Sequence, residues 1–190
     1  ISTNACMQVF GGHGFIKEWG MEQFTRDNRI NMIYEGTNTI QSLDLLGRKV
    51  LGNNGATLKK FGKLIGVLVA EEGVNEKMAE FINPLAMLGE QMTKFTTELG
   101  FKGLQNPDEV GAAAVDYLRV AGHLVFGYLF ARMAQVALRE IAAGNADPFY
   151  VAKLQTARFY FAKLFPETVT LMRTARAGSK VLMDTDAALA

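Results

Sequence analysis

The fold is decided by residues 106–148, "NPDEVGAAAVDYLRVAGHLVFGYLFARMAQVALREIAAGNADP". Pro107 stands where a helix begins, and the charges of Asp108 and Glu109 favour the positive end of the helix dipole. The helical pattern continues to Ala143, and the turn residues that follow end it. Because a helix of this length depends on tertiary packing for its stability, it predicts contacts with other helices along much of its length.

Helical periodicity recurs on both sides of this segment, and no segment alternates as a strand would. Further helices are predicted at about 57–72, 75–100, 148–165 and 166–177. Pro84 is expected to kink or restart the second of these, and Pro166 separates or kinks the last two. The tail at 179–190 has weak periodicity and is expected to fray. Short connections between the helices predict an all-α fold of antiparallel helical bundles.

The first fifty residues are predicted to be helical as well. One helix ends at "GGHGF", where glycine can close it. A second helix at 20–33 carries its apolar residues on one side: Met21, Phe24, Ile30 and Ile33. A third begins at Thr37 or Asn38, which are good N-caps, and closes at Gly52.

The Gly/Asn cluster "GNNG" at 52–55 lies between two helical patterns and is the best internal boundary. We therefore expect a first domain at 1–52 and a second at 53–190. The 190 residues are enough for either one large domain or two small ones.

Composition excludes several classes of function. The 20 basic and 19 acidic residues give a net charge of +1, which offers no electrostatic case for nucleic acid or an anionic membrane surface. The single cysteine, Cys6, excludes an internal disulfide framework and fits a reducing compartment. Two histidines without a cysteine cluster do not supply the usual ligand set of a zinc site, so we expect no metal.

We also expect no membrane span and a cytoplasmic location. The longest uncharged apolar run, "VAGHLVFGYLFA" at 120–131, falls short of the ~20 residues that a spanning helix needs. The sequence begins with neither Met nor a basic signal-peptide region, and its first residues read like the middle of a helix. A fragment of a longer chain is the expectation.

The candidate catalytic residue lies in "NMIYEGTNTIQ" at 31–41 and is the carboxylate of Glu35. A carboxylate serves as a base when a ligand displaces its water, because desolvation raises its pKa toward the working pH. Gly36 lets backbone approach a bound ligand, and a helix that begins at Thr37 or Asn38 directs free N–H groups at polar ligand atoms. These features together make a usable site.

A plainer interpretation is that Glu35 is a solvated acid beside a helix start, where it favours the dipole and does nothing else. From the motif alone this second interpretation is the stronger one, because short motifs occur often by chance.

Three linked motifs change that balance: "QVFGGHGF" at 8–15, "RDNRI" at 26–30 and "IYEGTNTIQ" at 33–41. In this order and spacing they resemble the C-terminal helical domain of acyl-CoA dehydrogenases, over residues 1 to about 50. The resemblance implies an FAD-dependent oxidation of an acyl-CoA to a 2,3-enoyl-CoA, by α-proton abstraction and β-hydride transfer to the flavin. It further implies electron-transfer flavoprotein or a similar acceptor, and a homo-oligomer.

The resemblance also assigns roles to individual residues. Glu35 matches the catalytic base for the α proton, and Gly36 the residue that contacts the substrate there. Thr37, Asn38 and Thr39 match the segment that contacts the flavin nucleotide in the family, and Thr39 stands in place of the glutamine of many members. The resemblance implies a second cofactor-binding segment, which matches the family segment that touches the flavin nucleotide of a neighbouring subunit: Gln8, Val9, Phe10, Gly11 and Gly12.

The remaining residues, 51–190, resemble the additional helical domain of the long members, those grouped with 3-methylmercaptopropionyl-CoA dehydrogenase. This region shows no catalytic constellation, and His123 is expected to be a hydrogen-bonded structural residue. His13 is assigned to a surface turn, and Arg26 with Asp27 to a structural ion pair or helix-anchoring contacts. Most of the flavin and substrate sites would lie outside this chain, so the isolated chain is expected to bind FAD poorly and to be inactive.

Two alternatives remain open. The chain could be a non-catalytic helical assembly or oligomerisation module in which the motif survives without chemistry. It could also belong to an acyl-CoA oxidase, which shares the flavin chemistry and differs in its oxidant.

Overall fold

A computed structural model describes residues 2–184, and within that range the chain is helical and contains no strand. The α-helices are α1 (Ser2–Val9), α2 (Met21–Arg29), α3 (Thr37–Leu43), α4 (Ala56–Glu72), α5 (Ala79–Gln105), α6 (Asp108–Ala142), α7 (Pro148–Phe159), α8 (Glu167–Ala175) and α9 (Lys180–Met183). The predicted all-α fold is confirmed.

The chain divides into two compact units, unit 1 (Ile1–Gln41) and unit 2 (Ser42–Ala190). The division falls within α3, because the buried side chains of Leu46 and Val50 belong to the core of unit 2. The domain boundary at 52–53 stays a prediction.

Helix α6 is the centre of unit 2, where α5, α7 and α8 pack against it. Its buried face is rich in small residues: Ala113, Ala114, Gly127, Ala131, Ala134 and Ala137. A Cβ added at Gly127 would lie 2.7 Å from Phe165 and 3.2 Å from Leu85. Small side chains on α6 therefore leave the room that large side chains of its neighbours fill.

A buried polar pair joins α5 to α6. The hydroxyl of Thr96 donates to the carbonyl of Met92 at 2.6 Å, and its oxygen lies 2.7 Å from the hydroxyl of Tyr117. Since the single hydroxyl proton of Thr96 is already used, Tyr117 is the donor in the second bond. Burial raises the pKa of Tyr117, so its hydroxyl keeps the proton that this bond needs.

Helix α5 runs through Pro84 without interruption, so the expected restart of the helix does not occur. Pro84 is only the sixth residue of α5, and there it removes one N–H donor close to the helix start. A turn of 3₁₀ helix at Glu76–Met78, capped by the side chain of Asn75, precedes α5. The separation of the last helices at Pro166 is confirmed, because α8 begins at the next residue.

The predicted closure of the third helix at Gly52 is wrong by a few residues. After α3 the backbone continues as π-helix over Asp44–Val50 and as 3₁₀ helix over Leu51–Asn53. Asn54 and Gly55 then turn into the left-handed region, with φ of 54° and 72°. The N–H of Gly55 donates to Val50 O at 2.8 Å, which satisfies a carbonyl at the end of the helix.

The tail that we expected to fray is described only in part. Ser179 is held by Glu109, whose carboxylate accepts from its N–H at 2.9 Å and from its hydroxyl at 2.7 Å. These two bonds lower the pKa of Glu109. Helix α9 follows, and residues 185–190 lie outside the described part of the chain.

Helix α6 is long and apolar enough, by length and composition, to cross a membrane. A core helix that other helices surround meets the same test, and α6 packs against three of them. The expectation that the chain does not span a membrane stays a prediction.

Two glycines of α6 provide a matched test of its packing. Gly127→Ala should lower the free energy of unfolding by about 1–2 kcal/mol, because the added methyl overpacks the contact with Phe165 and Leu85. Gly122→Ala should raise it by about 0.5–1 kcal/mol, since nothing lies within 4 Å of the added Cβ and alanine favours the helix. Urea denaturation of both variants measures the difference. A Gly127→Ala variant as stable as Gly122→Ala would contradict this packing.

Candidate active site

Three consecutive residues at the start of α3, the last of which is its first residue, adopt left-handed backbone conformations. The φ angles are 56° at Glu35, 98° at Gly36 and 63° at Thr37. Glycine adopts such angles freely, but a β-branched residue such as threonine does so only under constraint. Residues held in this way cluster at functional sites, so the turn is a candidate functional site of unit 1.

Local contacts hold this turn in place. The side-chain amide of Gln41 donates to Glu35 O at 2.6 Å and so closes a loop over the start of α3. Before the turn, the N–H groups of Ile33 and Tyr34 both donate to Ile30 O, at 2.9 and 3.1 Å. The backbone of Glu35 is therefore fixed from both sides.

Gly36 is required on two grounds. Its φ angle is unfavourable for a side chain, and an added Cβ would lie 2.8 Å from Cγ2 of Ile40. Ile40 thus occupies the space that any larger residue at position 36 would need.

The side chain of Glu35 is exposed, and no residue within 2–184 forms a hydrogen bond or an ion pair with its carboxylate. Large apolar neighbours are exposed as well: Ile33 at 47%, Tyr34 at 52% and Ile40 at 54%. The carboxylate is therefore free to accept a proton. The displacement of its water must come from a ligand or from polypeptide other than these residues.

The segment Gln8–Gly12 forms the end of α1 and the start of a 3₁₀ turn, Gly11–Phe15. Its five residues are exposed, and an added Cβ at Gly11 or Gly12 meets nothing within 4 Å. Gly14, in contrast, is buried, and a Cβ there would lie 2.1 Å from Met7 O. The turn is packed on one side and open on the other, which suits backbone contact with a bound ligand.

The two predicted cofactor-binding segments lie on different elements. Gln8–Gly12 lies on α1 and its turn, whereas Thr37, Asn38 and Thr39 are the exposed first residues of α3. Because the family resemblance assigns the first segment to the flavin of a neighbouring subunit, the two need not meet in one chain. Their roles, and those of Glu35 and Gly36, stay predictions.

The predicted pairing of Arg26 with Asp27 does not occur. Arg26 pairs with Glu22 one helical turn earlier, at 2.8 Å, and Asp27 accepts from Gln23 at 2.6 Å. Adjacent residues of a helix do not face each other, whereas residues four apart do. The contacts anchor α2, as the alternative expectation held.

His13 lies in the exposed turn that was predicted for it. Its ring meets the edge of Trp19, with centroids 5.1 Å apart, and Trp19 also contacts Phe10. This aromatic cluster stabilises the turn after the Gln8–Gly12 segment.

A polar network in unit 2 involves residues that the sequence did not connect. Nδ1 of His123 lies 2.9 Å from the hydroxyl of Tyr160, and Nε2 lies 3.2 Å from Glu167, which also pairs with Arg119. Burial raises the pKa of Tyr160, and the charge of Glu167 adds to the effect. The expectation of a hydrogen-bonded structural histidine is confirmed. Its partners were missed because they lie 37 and 44 residues away in the sequence.

No group of three or more metal-ligating side chains occurs in the described residues.

Comparison with known families places these features in context. A family model described as "Acyl-CoA dehydrogenase, C-terminal domain" matches residues 2–51, and one described as "Acetyl-CoA dehydrogenase C-terminal like" matches residues 56–186. The chain belongs to the acyl-CoA dehydrogenase family. The resemblance inferred from the three motifs and from the helical extension is confirmed.

Three of the similar family members come from bacteria. A 3-methylmercaptopropionyl-CoA dehydrogenase of Ruegeria pomeroyi is 37% identical over 85% of this chain and 28% of its own length. A butyryl-CoA dehydrogenase of Syntrophomonas wolfei is 29% identical over 97% of this chain and 31% of its own length. A broad-specificity linear acyl-CoA dehydrogenase of Mycobacterium tuberculosis is 30% identical over 88% of this chain and 29% of its own length. The chain thus spans less than a third of the length of these acyl-CoA dehydrogenases.

Gly36→Ala tests the geometry of the turn. The added methyl clashes with Ile40 and strains a positive φ, which costs about 1–3 kcal/mol locally. Amide hydrogen exchange at residues 39–41 should therefore become about tenfold faster or more. Gly12→Ala is the control, since its Cβ enters open space, and it should leave these rates unchanged. Equal exchange in both variants would contradict the steric role of Gly36.

Proposed function

We propose that this chain supplies the catalytic base of an FAD-dependent acyl-CoA dehydrogenase, which oxidises an acyl-CoA to a 2,3-enoyl-CoA. The observation that carries the proposal is the free carboxylate of Glu35 on a strained turn that Gln41 holds in place. A solvated acid beside a helix start would not need three left-handed residues in succession. The family of the chain supports the same conclusion.

Glu35 accepts the proton from the α carbon, which the neighbouring thioester carbonyl makes acidic. No cation among the described residues pairs with this carboxylate, so none competes for its charge. A bound acyl chain would cover the exposed apolar surface of Ile33, Tyr34 and Ile40 and displace water from Glu35. That desolvation favours the protonated acid and strengthens the base. Gly36 leaves the backbone open to the substrate on the same turn.

Bound FAD supplies the acceptor for the hydride that leaves the β carbon. The open backbone at Gly11 and Gly12 fits contact with such a nucleotide, since an added Cβ would enter that space. The residues that would hold the cofactor are Gln8, Val9, Phe10, Gly11, Gly12, Thr37, Asn38 and Thr39. Glu35 meanwhile retains the α proton, so one C–H bond is broken at each carbon and a C=C bond forms.

The family also supports the remaining parts of the proposal. The two electrons pass to electron-transfer flavoprotein or a similar acceptor, and the protein acts as a homo-oligomer in which the Gln8–Gly12 segment serves a neighbouring subunit. A cytoplasmic location fits the single, exposed Cys6.

Glu35→Gln in the full-length protein tests this proposal. The amide is nearly isosteric but cannot accept the proton, so acyl-CoA-dependent reduction of an artificial electron acceptor should fall by a factor of about 10²–10⁴. Glu18→Gln is the matched control, since Glu18 is another exposed acid of unit 1 outside the turn, and it should retain wild-type turnover. Unchanged turnover in Glu35→Gln would refute the assignment of the base.

A further inference from the structure

A groove of about 1390 Å³ lies between α4 and α5 in unit 2 and shares no residue with the candidate active site. This α4–α5 groove is lined mainly by small and apolar residues, among them Leu58, Gly62, Gly66, Gly89, Gly100 and Leu104. Near one end Phe101 is 68% exposed and Leu104 is 85% exposed. An exposed apolar surface in a concave site is typical of a region that binds a ligand or another polypeptide.

Glycines inside both helices leave the groove open. At Gly62, Gly66 and Gly89 an added Cβ meets nothing within 4 Å. A glycine in a helix interior costs about 0.5–1 kcal/mol relative to alanine, and no packing contact within the described chain explains that cost here. The space above these three glycines is therefore available to an occupant that the chain does not itself provide.

The floor of the groove offers little polarity to such an occupant. Thr93 and Thr97 line it, but their hydroxyls donate to Gly89 O at 2.9 Å and to Thr93 O at 3.0 Å. Thr96 is likewise bonded to Met92 O and Tyr117. Because these hydroxyl protons are already used, the floor suits a hydrocarbon chain better than a polar ligand.

Charge is concentrated on the two walls. Lys59 and Lys63 lie one turn apart on α4, and Lys94 lies on α5. All three are exposed and none forms an ion pair with a residue of 2–184, whereas Glu90 is the single acid of the lining. The like charges of the two walls repel each other unless an anion lies between them.

We propose that the α4–α5 groove binds an anionic single-chain amphiphile. Its acyl chain lies along the floor beside Gly62, Gly66 and Gly100, and covers Phe101 and Leu104. Its anionic head group lies at Lys59, Lys63 and Lys94. A fatty acid anion and an acyl-CoA share this chemistry, since both join an acyl chain to a negatively charged group.

Calorimetric titration of the 190-residue chain with dodecanoate tests the proposal. We expect saturable binding of one molecule, and much weaker binding of dodecyltrimethylammonium, which has the same chain and the opposite charge. A parallel titration with dodecanoyl-CoA separates the two sources of the anionic head group. If dodecanoyl-CoA binds more tightly than dodecanoate, the lysines bind the coenzyme phosphates. If it binds more weakly, they bind a free carboxylate.

Three variants locate the site. The combined change Lys59→Gln, Lys63→Gln and Lys94→Gln should weaken dodecanoate binding by about tenfold, because three ion pairs are lost. The combined change Gly62→Leu and Gly66→Leu should abolish binding by filling the groove, while far-UV circular dichroism stays helical, since leucine favours a helix and the space is empty. Lys60→Gln is the control, because Lys60 neighbours Lys59 but does not line the groove.

The proposal is overturned if dodecanoate does not bind saturably, if the cationic amphiphile binds equally well, or if the lysine and glycine variants bind as wild type does. It is also overturned if light scattering shows that the combined change Gly62→Leu and Gly66→Leu dissociates an oligomer while dodecanoate leaves the oligomeric state unchanged. The occupant of the groove is then another polypeptide.

Discussion

Close approach of helices to α6 is the constraint on which unit 2 depends. Alanine and glycine on the buried face of α6 allow three helices to pack against it, so large residues such as Phe165 and Leu85 fill the space beside Gly127. Close packing leaves little room for an unpaired polar group, and the buried hydroxyl pair of Thr96 with Tyr117 is fully bonded. Gly62, Gly66 and Gly89 of α4 and α5 differ, since a Cβ added at any of them would meet nothing within 4 Å.

A different constraint acts in unit 1, where the backbone conformation of the turn around Glu35, rather than the packing of a core, is unusual. The position from which Glu35 projects is fixed by three left-handed residues and by a hydrogen bond from the side-chain amide of Gln41 to Glu35 O. The close contact of Ile40 with Gly36 also fixes it. The strain is stored beside an exposed carboxylate that has no partner among the described residues. A base needs this combination, because its position must be fixed while its oxygens stay available for the proton.

Much of this architecture was predictable from sequence. Periodicity predicted the long helix α6 and the helices on both sides of it, because a buried stripe repeats at 3.6 residues whatever it packs against. Its expectations were less accurate for helix ends: α5 continues through Pro84 instead of restarting there, and the third helical segment ends at Asn54 and Gly55 instead of at Gly52. The motifs pointed to Glu35 but not to the left-handed turn, because glutamate and threonine rarely adopt a positive φ. The partners of His123 were missed because they depend on tertiary contacts that spacing does not reveal. The α4–α5 groove was missed for the same reason, since sequence does not show which helical glycines face open space.

Exchange of the substrate α proton tests the role of Glu35 most directly. A 3-thiaacyl-CoA has sulfur in place of the β carbon, so it cannot lose a hydride and only proton abstraction can occur. The full-length protein should incorporate deuterium from D₂O at the α carbon, and Glu35→Gln should lose this exchange by a factor of about 10² or more. Exchange at the wild-type rate in Glu35→Gln would show that another group is the base.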